Sequence, residues 1–364
     1  VPIFDQGYQH WSGQLSSHAW RWLAITRQGL RVGMKLPRVK RTLFVAWLPA
    51  LGLAAFLCLW GLIERKSDLV AGLAPALRIL GPEGIADPRQ FRVQIWTLAY
   101  TYFMDAELWI SMVLILLVGP DLISQDLRFN ALPLYFSRPL QRRDYFLGKL
   151  GVIGALLGMV TVGPAVIAYI LGMLFSLDFT IIRDTFSILL GTIAYGLLVL
   201  VSAGTLILAL SSLSRNSRYV MLLWLAVVLV SNVMSGVLMT AERQRQIQQV
   251  AMAPYQPYQQ GAKTDPQQSL KRLDEHLVDS QNRDWRPLVS YLKNLQRIGR
   301  MLLGTDATME KFRQLQPPEQ RVYYRVLHMN PEYPWYWSAA ILAGLLGISA
   351  WILNRRVRSL DRLK

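Results

Sequence analysis

The sequence predicts an all-α integral membrane protein, and three observations carry that prediction. Its 364 residues are 52% hydrophobic and only 17% charged, too apolar a mixture for a disordered chain. The apolar residues gather into six stretches, each long enough to cross ~30 Å of hydrocarbon as a helix rising ~1.5 Å per residue. Lys and Arg crowd one alternate set of connections, as expected of a chain oriented in a bilayer.

Residues 1–42 read as an N-terminal arm. Trp22, Ile25, Gly29, Val32 and Leu36 step by three and four, with Arg27, Arg31, Lys35 and Arg38 on the other face. This predicts an amphipathic helix along the membrane surface, apolar stripe inward and basic stripe toward lipid phosphates. No apolar run of signal-peptide length precedes it, so the arm is expected to stay in the mature protein.

Residues 43–240 hold the first five spans: Leu43 to Ile63, Trp96 to Val118, Leu150 to Phe175, Phe186 to Leu210 and Tyr219 to Met239. Pro49 and Pro164 are expected to kink theirs. Residues 241–334 are too many for a bare loop in a compact domain, which predicts a helical extracytoplasmic domain between spans five and six. Pro254, Pro257, Gly261 and Pro266 mark a linker. Leu270, Leu273 and Leu277 recur at helical spacing after it. Leu288, Tyr291, Leu292, Leu295, Ile298 and Leu302 form a longer stripe with Pro287 in its first turn, and a third helix is expected after Pro317-Pro318. Tyr333, Trp335, Tyr336 and Trp337 then suit a membrane interface. Residues 335–364 supply the sixth span, Trp335 to Leu353, and a basic tail.

Assigned alternately to two sides, the arm, the 120–149 connection, the 211–218 connection and the tail carry 19 Lys and Arg against 5 acids, while the opposite side carries 20 against 16. Short basic segments are retained in the cytoplasm, so both termini are expected there, in a bacterial cytoplasmic membrane, with Arg355, Arg356 and Arg358 as the firmest anchor. The net charge of +16 is thereby topological, and nucleic acid is not an expected partner.

Chemistry is sparse. Cys58 is the single cysteine, and His10, His18, His276 and His328 stand in no metal-binding spacing. Asp274-Glu275-His276 reads as the solvated face of a polar helix. No phosphate loop is present: Gly148-Lys149 is followed by Leu150, and the position five before Gly148 is Arg143. No catalytic residue, metal or cofactor is therefore expected. Asp105 and Glu107 lie in the second span, where carboxylates are costly. Two residues apart, they point to different helix faces, and they suit either the outer headgroups or a polar cavity on a translocation path. Gly154 and Gly158, spaced by four, permit close helix packing.

The connection from Gly119 to Lys149 is the most informative segment. Asp121 after Pro120 can cap a helix, Leu122, Ile123, Leu127 and Leu132 give it an apolar side, and Pro133 is placed to end it. Asp126, Ala131-Leu132, Ser137-Arg138-Pro139, Arg142-Arg143 and Gly148-Lys149 resemble the pattern of permease subunits of type-2 ATP-binding-cassette exporters. Two features depart from it: Asp126 stands where Glu is usual, and the segment after the fifth span is larger than the usual outer loop. The resemblance implies six spans with both termini inside, and a separate cytoplasmic ATPase that binds the ATP. It further implies a second permease copy or homologue, and a coupling segment formed by Asp126, Arg128, Leu132, Ser137, Arg138, Pro139, Arg142, Arg143 and Lys149. A membrane scaffold that holds a protein partner through 241–334 is the alternative. An intramembrane enzyme using Asp105 and Glu107 would need a nucleophile and base that the sequence does not offer.

Overall fold

A computed structural model describes residues 20–64, 88–132, 135, 142–176, 180–252, 275, 279–280, 282–314 and 333–360. Every regular element among them is helical. Six helical stretches are long and apolar enough to cross a membrane: Pro37–Glu64, Arg89–Arg128, Arg142–Ser176, Thr180–Leu213, Ser217–Gln248 and Trp335–Arg356. They are called spans 1 to 6. The end of the bundle bearing the N-terminal arm and the end of span 6 is the proximal end, and the other is the distal end.

Helix α1 (Arg21–Lys35) stops at Leu36, whose extended backbone is what a following proline imposes, and Pro37 opens α2 (Pro37–Glu64), which is span 1. The basic face of α1 is exposed as expected, but the apolar stripe differs. Thr26 and Gly33 are buried, while Val32 and Leu36 are 53% and 43% exposed. The reason is tertiary: α1 packs across the start of span 3 rather than lying free. The Thr26 hydroxyl donates to the Gly148 carbonyl at 3.0 Å. A side chain at Gly148 would place its Cβ 2.6 Å from that of Ile25.

Span 2 is α3 (Arg92–Arg128), preceded by a 3-10 turn (Pro88–Phe91). Here the expected break is corrected. Asp121 caps no new helix, because α3 runs through Pro120 without interruption. Proline removes one ladder donor, and in the turn that follows it a hydroxyl from a neighbouring span bonds the helix backbone. Ser211 of span 4 accepts from the Ile123 and Ser124 amides at 3.1 and 3.0 Å and donates to the Pro120 carbonyl at 2.8 Å. The helix also stops before Pro133. Asn130 adopts a left-handed φ of 50°, and the Ala131 amide bonds the Asp126 carbonyl at 2.9 Å, a Schellman closure with asparagine in the usual glycine position.

Span 3 is divided into α4 (Arg142–Val160) and α5 (Val162–Ser176) at Thr161, one turn before Pro164. Span 1 by contrast continues through Pro49. Span 4 is α6 (Thr180–Leu213). Span 5 comprises α7 (Ser217–Leu225), a π-helical turn (Ala226–Val230) and α8 (Ser231–Met252). It runs well past Met239, so position 241 lies inside a helix rather than at a domain boundary. Spans 2 and 4 pack on each other at the centre of the bundle.

Beyond span 5 the described residues show part of the expected helical segment. Leu270, Leu273, Leu277, Asp274, His276 and the segment after Pro317-Pro318 fall outside the described residues. The long stripe does form a helix, α9 (Tyr291–Leu303), capped by the Ser290 hydroxyl and ended by Gly304 at φ 72°. Pro287 sits instead in a 3-10 turn, Arg286–Val289. Helix α9 packs against spans 2, 4 and 6. Its buried Tyr291 shares a hydrogen bond with Ser202 at 2.9 Å, while Leu302 meets Gly191. The helix therefore lies along ~16 Å of span 4 at ~1.5 Å per residue. An apolar stripe seen from sequence finds its partner in the membrane helices themselves. Helix α10 (Thr305–Gln314) follows, and α11 (Trp335–Leu360) is span 6.

Candidate functional site

The proximal end gathers several of the residues singled out from sequence. Asp126, on the last full turn of span 2, meets Lys149 of span 3 at 2.7 Å, and the Tyr145 hydroxyl donates to the same carboxylate oxygen at 2.7 Å. The Lys149 ammonium also lies over the rings of Tyr145 and Tyr135, at 5.4 and 6.0 Å, within reach of a cation–π attraction. Burial first, and then the Asp126 carboxylate, push the Tyr135 phenol above its ordinary range. Leu132 is buried beneath this cluster. The side chains of Asp126 and Lys149 are only 15% and 11% exposed, so each neutralises the other instead of facing a partner.

Arg128 and Arg143 are exposed and Arg142 is half-buried. Arg128 stacks over Phe129 at 5.6 Å. Ser137, Arg138 and Pro139 lie outside the described residues. The described residues of the expected coupling segment thus divide into an inward clasp, Asp126 with Lys149, and an outward basic rim, Arg128 and Arg143. Sequence reasoning missed Tyr145 and the glycine seat for α1 at Gly148. It missed Ser211 as well. A tyrosine four residues before a lysine on a helix that opens with two arginines is a signal that both face one partner, and it was available for Tyr145.

One turn above the clasp, the Ser211 hydroxyl ties span 4 to the Pro120 turn of span 2. Ser124 joins it by bonding both the Pro120 carbonyl and the Ser217 hydroxyl of span 5. Spans 2, 4 and 5 therefore meet where the span 2 ladder is weakest.

At the distal end, Glu64 accepts from Arg92 through Nε and Nη2, from Trp60 at 2.7 Å and from Ser176 at 3.0 Å. Arg92 reaches on to Thr180 and Asp184. The ends of four spans are tied together by this one pair, which is 2–3% exposed. It went unread because one partner ends a span and the other begins the next, 28 positions further along the chain.

The two carboxylates of span 2 point apart, as their spacing requires. Asp105 faces α9 and accepts from Gln296 at 3.0 Å, one turn below a Thr101 to Thr305 hydroxyl contact at 2.8 Å. Glu107 is fully buried, and its carboxylate oxygens, like the Ser111 hydroxyl one turn on, find no hydrogen-bond partner among the described residues. Glu107 thus faces the packed interior of the bundle. Gly154 seats span 3 on span 4, where an added Cβ would lie 3.1 Å from Leu200. Gly158 faces open space within 4 Å, so the pair does not act as one packing motif inside this chain.

A family model described as ABC-2 family transporter protein matches residues 85–353. That stretch runs from the approach to span 2 to the end of span 6 and includes both the clasp and α9. Compared with curated proteins, the chain matches none. With most of its length under the family match and six helices fit to cross a membrane, the chain belongs to the ABC-2 transporter family as a multi-pass permease subunit whose ATPase is carried by a partner.

Proposed function

We propose that this permease is an exporter, that its proximal end is cytoplasmic in a bacterial inner membrane, and that the partner ATPase docks on 121–145. The observation that carries the reading is the clasp of Asp126 with Lys149 and Tyr145, which makes the tip of span 2 and the start of span 3 move as one piece. Arg142 and Arg143 stand on that piece as the docking charges, and the Pro120–Ser211 joint passes its motion into spans 4 and 5. ATP-driven closure of the ATPase then tilts the clasp, which is a rigid-body displacement of packed helices rather than a local rearrangement.

A second copy or a homologue completes the path, because spans 2 and 4 fill the centre of a single bundle. Asp105 and Glu107 are assigned to the polar interior of that path. Helix α9, wedged beside Asp105, is assigned to its outward closure.

The test is the double reversal Arg142→Glu with Arg143→Glu. A like-charge contact at an interface costs several times the ~0.2–1 kcal/mol of an exposed ion pair, so reversal is a stronger probe than alanine. The expected result is loss of ATPase copurification and of substrate-stimulated hydrolysis, with membrane insertion intact by cysteine labelling at Ser280. Wild-type ATPase binding and transport in a correctly inserted double variant would remove the docking assignment.

A further inference from the structure

A cleft of about 210 Å³ opens beside the junction of α9 and α10, lined by Asn282, Arg297, Arg300, Asp306, Met309 and Arg313 among others. Its three arginines are not equivalent. Arg297 is engaged: its Nε donates to the Tyr333 carbonyl and its Nη1 to Asp306, both at 2.6 Å. Arg313 donates to Glu310 at 2.7 Å. Arg300 is different, for its Nε and Nη1 are buried with no acceptor among the described residues. The nearby carboxylate of Asp105 takes its hydrogen bond from Gln296 instead.

Buried guanidinium donors without acceptors are costly, because the cation has given up water and received nothing in return. Three arginines against Asp306 and Glu310 leave the lining with one positive charge in excess. The volume is below the ~300–1,000 Å³ of pockets that enclose a drug-sized molecule, so the cleft suits the charged end of a ligand and not the whole of it. Arginine in such a setting selects oxyanions through charge-assisted hydrogen bonds.

We propose that this cleft is a binding site for a singly charged phosphodiester, held by Arg300. Lipid headgroups and water-soluble phosphodiesters share this chemistry. The site stands independently of transport direction, and its test reads binding alone.

The full-length permease is titrated with short-chain phosphatidylglycerol by native mass spectrometry, with a diacylglycerol lacking phosphate as control, and with glycerophosphoglycerol by calorimetry. Arg300→Gln is expected to weaken binding at least ~10-fold, and Arg300→Lys to retain part of it. Met309→Glu places a negative charge at the rim without touching an arginine and is expected to abolish binding even if Arg300→Gln folds poorly. Binding of the lipid alone assigns the site to a headgroup, whereas binding of glycerophosphoglycerol assigns it to a soluble phosphodiester. Phosphatidylglycerol bound no better than diacylglycerol with no heat from glycerophosphoglycerol, or equal binding by wild type and Met309→Glu, overturns the proposal.

Discussion

The two ends of this bundle solve the same problem, joining neighbouring spans through an ion pair, in different ways. At the distal end Glu64 and Arg92 are almost wholly buried, and the carboxylate also serves Trp60 and Ser176. At the proximal end Asp126 and Lys149 keep some access to solvent and lean on two tyrosine rings. A dry, fully satisfied network is rigid, since removing any member strands the others. A clasp with partial solvent access has water as an alternative partner and can open and reclose at lower cost. The contrast suits a fixed distal frame and a movable proximal tip.

The sharpest way to break the comparison is at Glu64. Glu64→Ala leaves the buried Arg92 with the partly exposed Asp184 as its remaining ion-pair partner among the described residues, and the expected loss is ~3 kcal/mol of stability, read as a lowered unfolding temperature in detergent. Replacing both residues by leucine is expected to recover most of that loss. Unfolding of the single variant at the wild-type temperature would show the distal frame to be no firmer than the clasp.

The clasp is expected to respond less. Lys149→Ala should cost ~1–3 kcal/mol, since Asp126 keeps Tyr145 and some water, and a double-mutant cycle with Asp126→Ala should return a coupling of ~0.5–3 kcal/mol. A coupling near zero would mean that the two spans are held by packing alone.

Gly148→Leu sharpens the comparison from the side of packing. Its side chain would enter the seat of α1 against Ile25, an overpacking expected to cost ~1–3 kcal/mol. Displacement of α1 should appear as faster tryptic cleavage at Arg27 and Arg31. The smallest effect is expected at Gly158, where nothing lies within 4 Å. Gly158→Ala should be neutral or stabilising by up to ~1 kcal/mol, through the entropy of the unfolded chain. A large loss there would reveal a contact with a second subunit.

Much of the coupling segment was legible because charge and proline chemistry act locally. From sequence, Arg142 and Arg143 read as part of the connection before Leu150, and the structure extends the helix of span 3 back to include them. Asp126 and Lys149 were both singled out, yet their pairing with each other was not read, for it depends on how two helices cross. Pro120 shows the opposite failure. By local rule it opens a new helix, but the old one continues through it, with a serine of span 4 bonded to the turn that follows.

The sequence by itself determined the number of spans and the amphipathic character of α1 and α9, because these follow from hydrophobic length and period. Only the tertiary structure decided what those amphipathic faces cover. The stripe of α9 from Tyr291 to Ile298 satisfies the same pattern whether it buries against a soluble bundle or against spans 2, 4 and 6. Periodicity records that a face is apolar, and what it meets is fixed by contacts such as Tyr291 with Ser202, made by residues far apart in the chain.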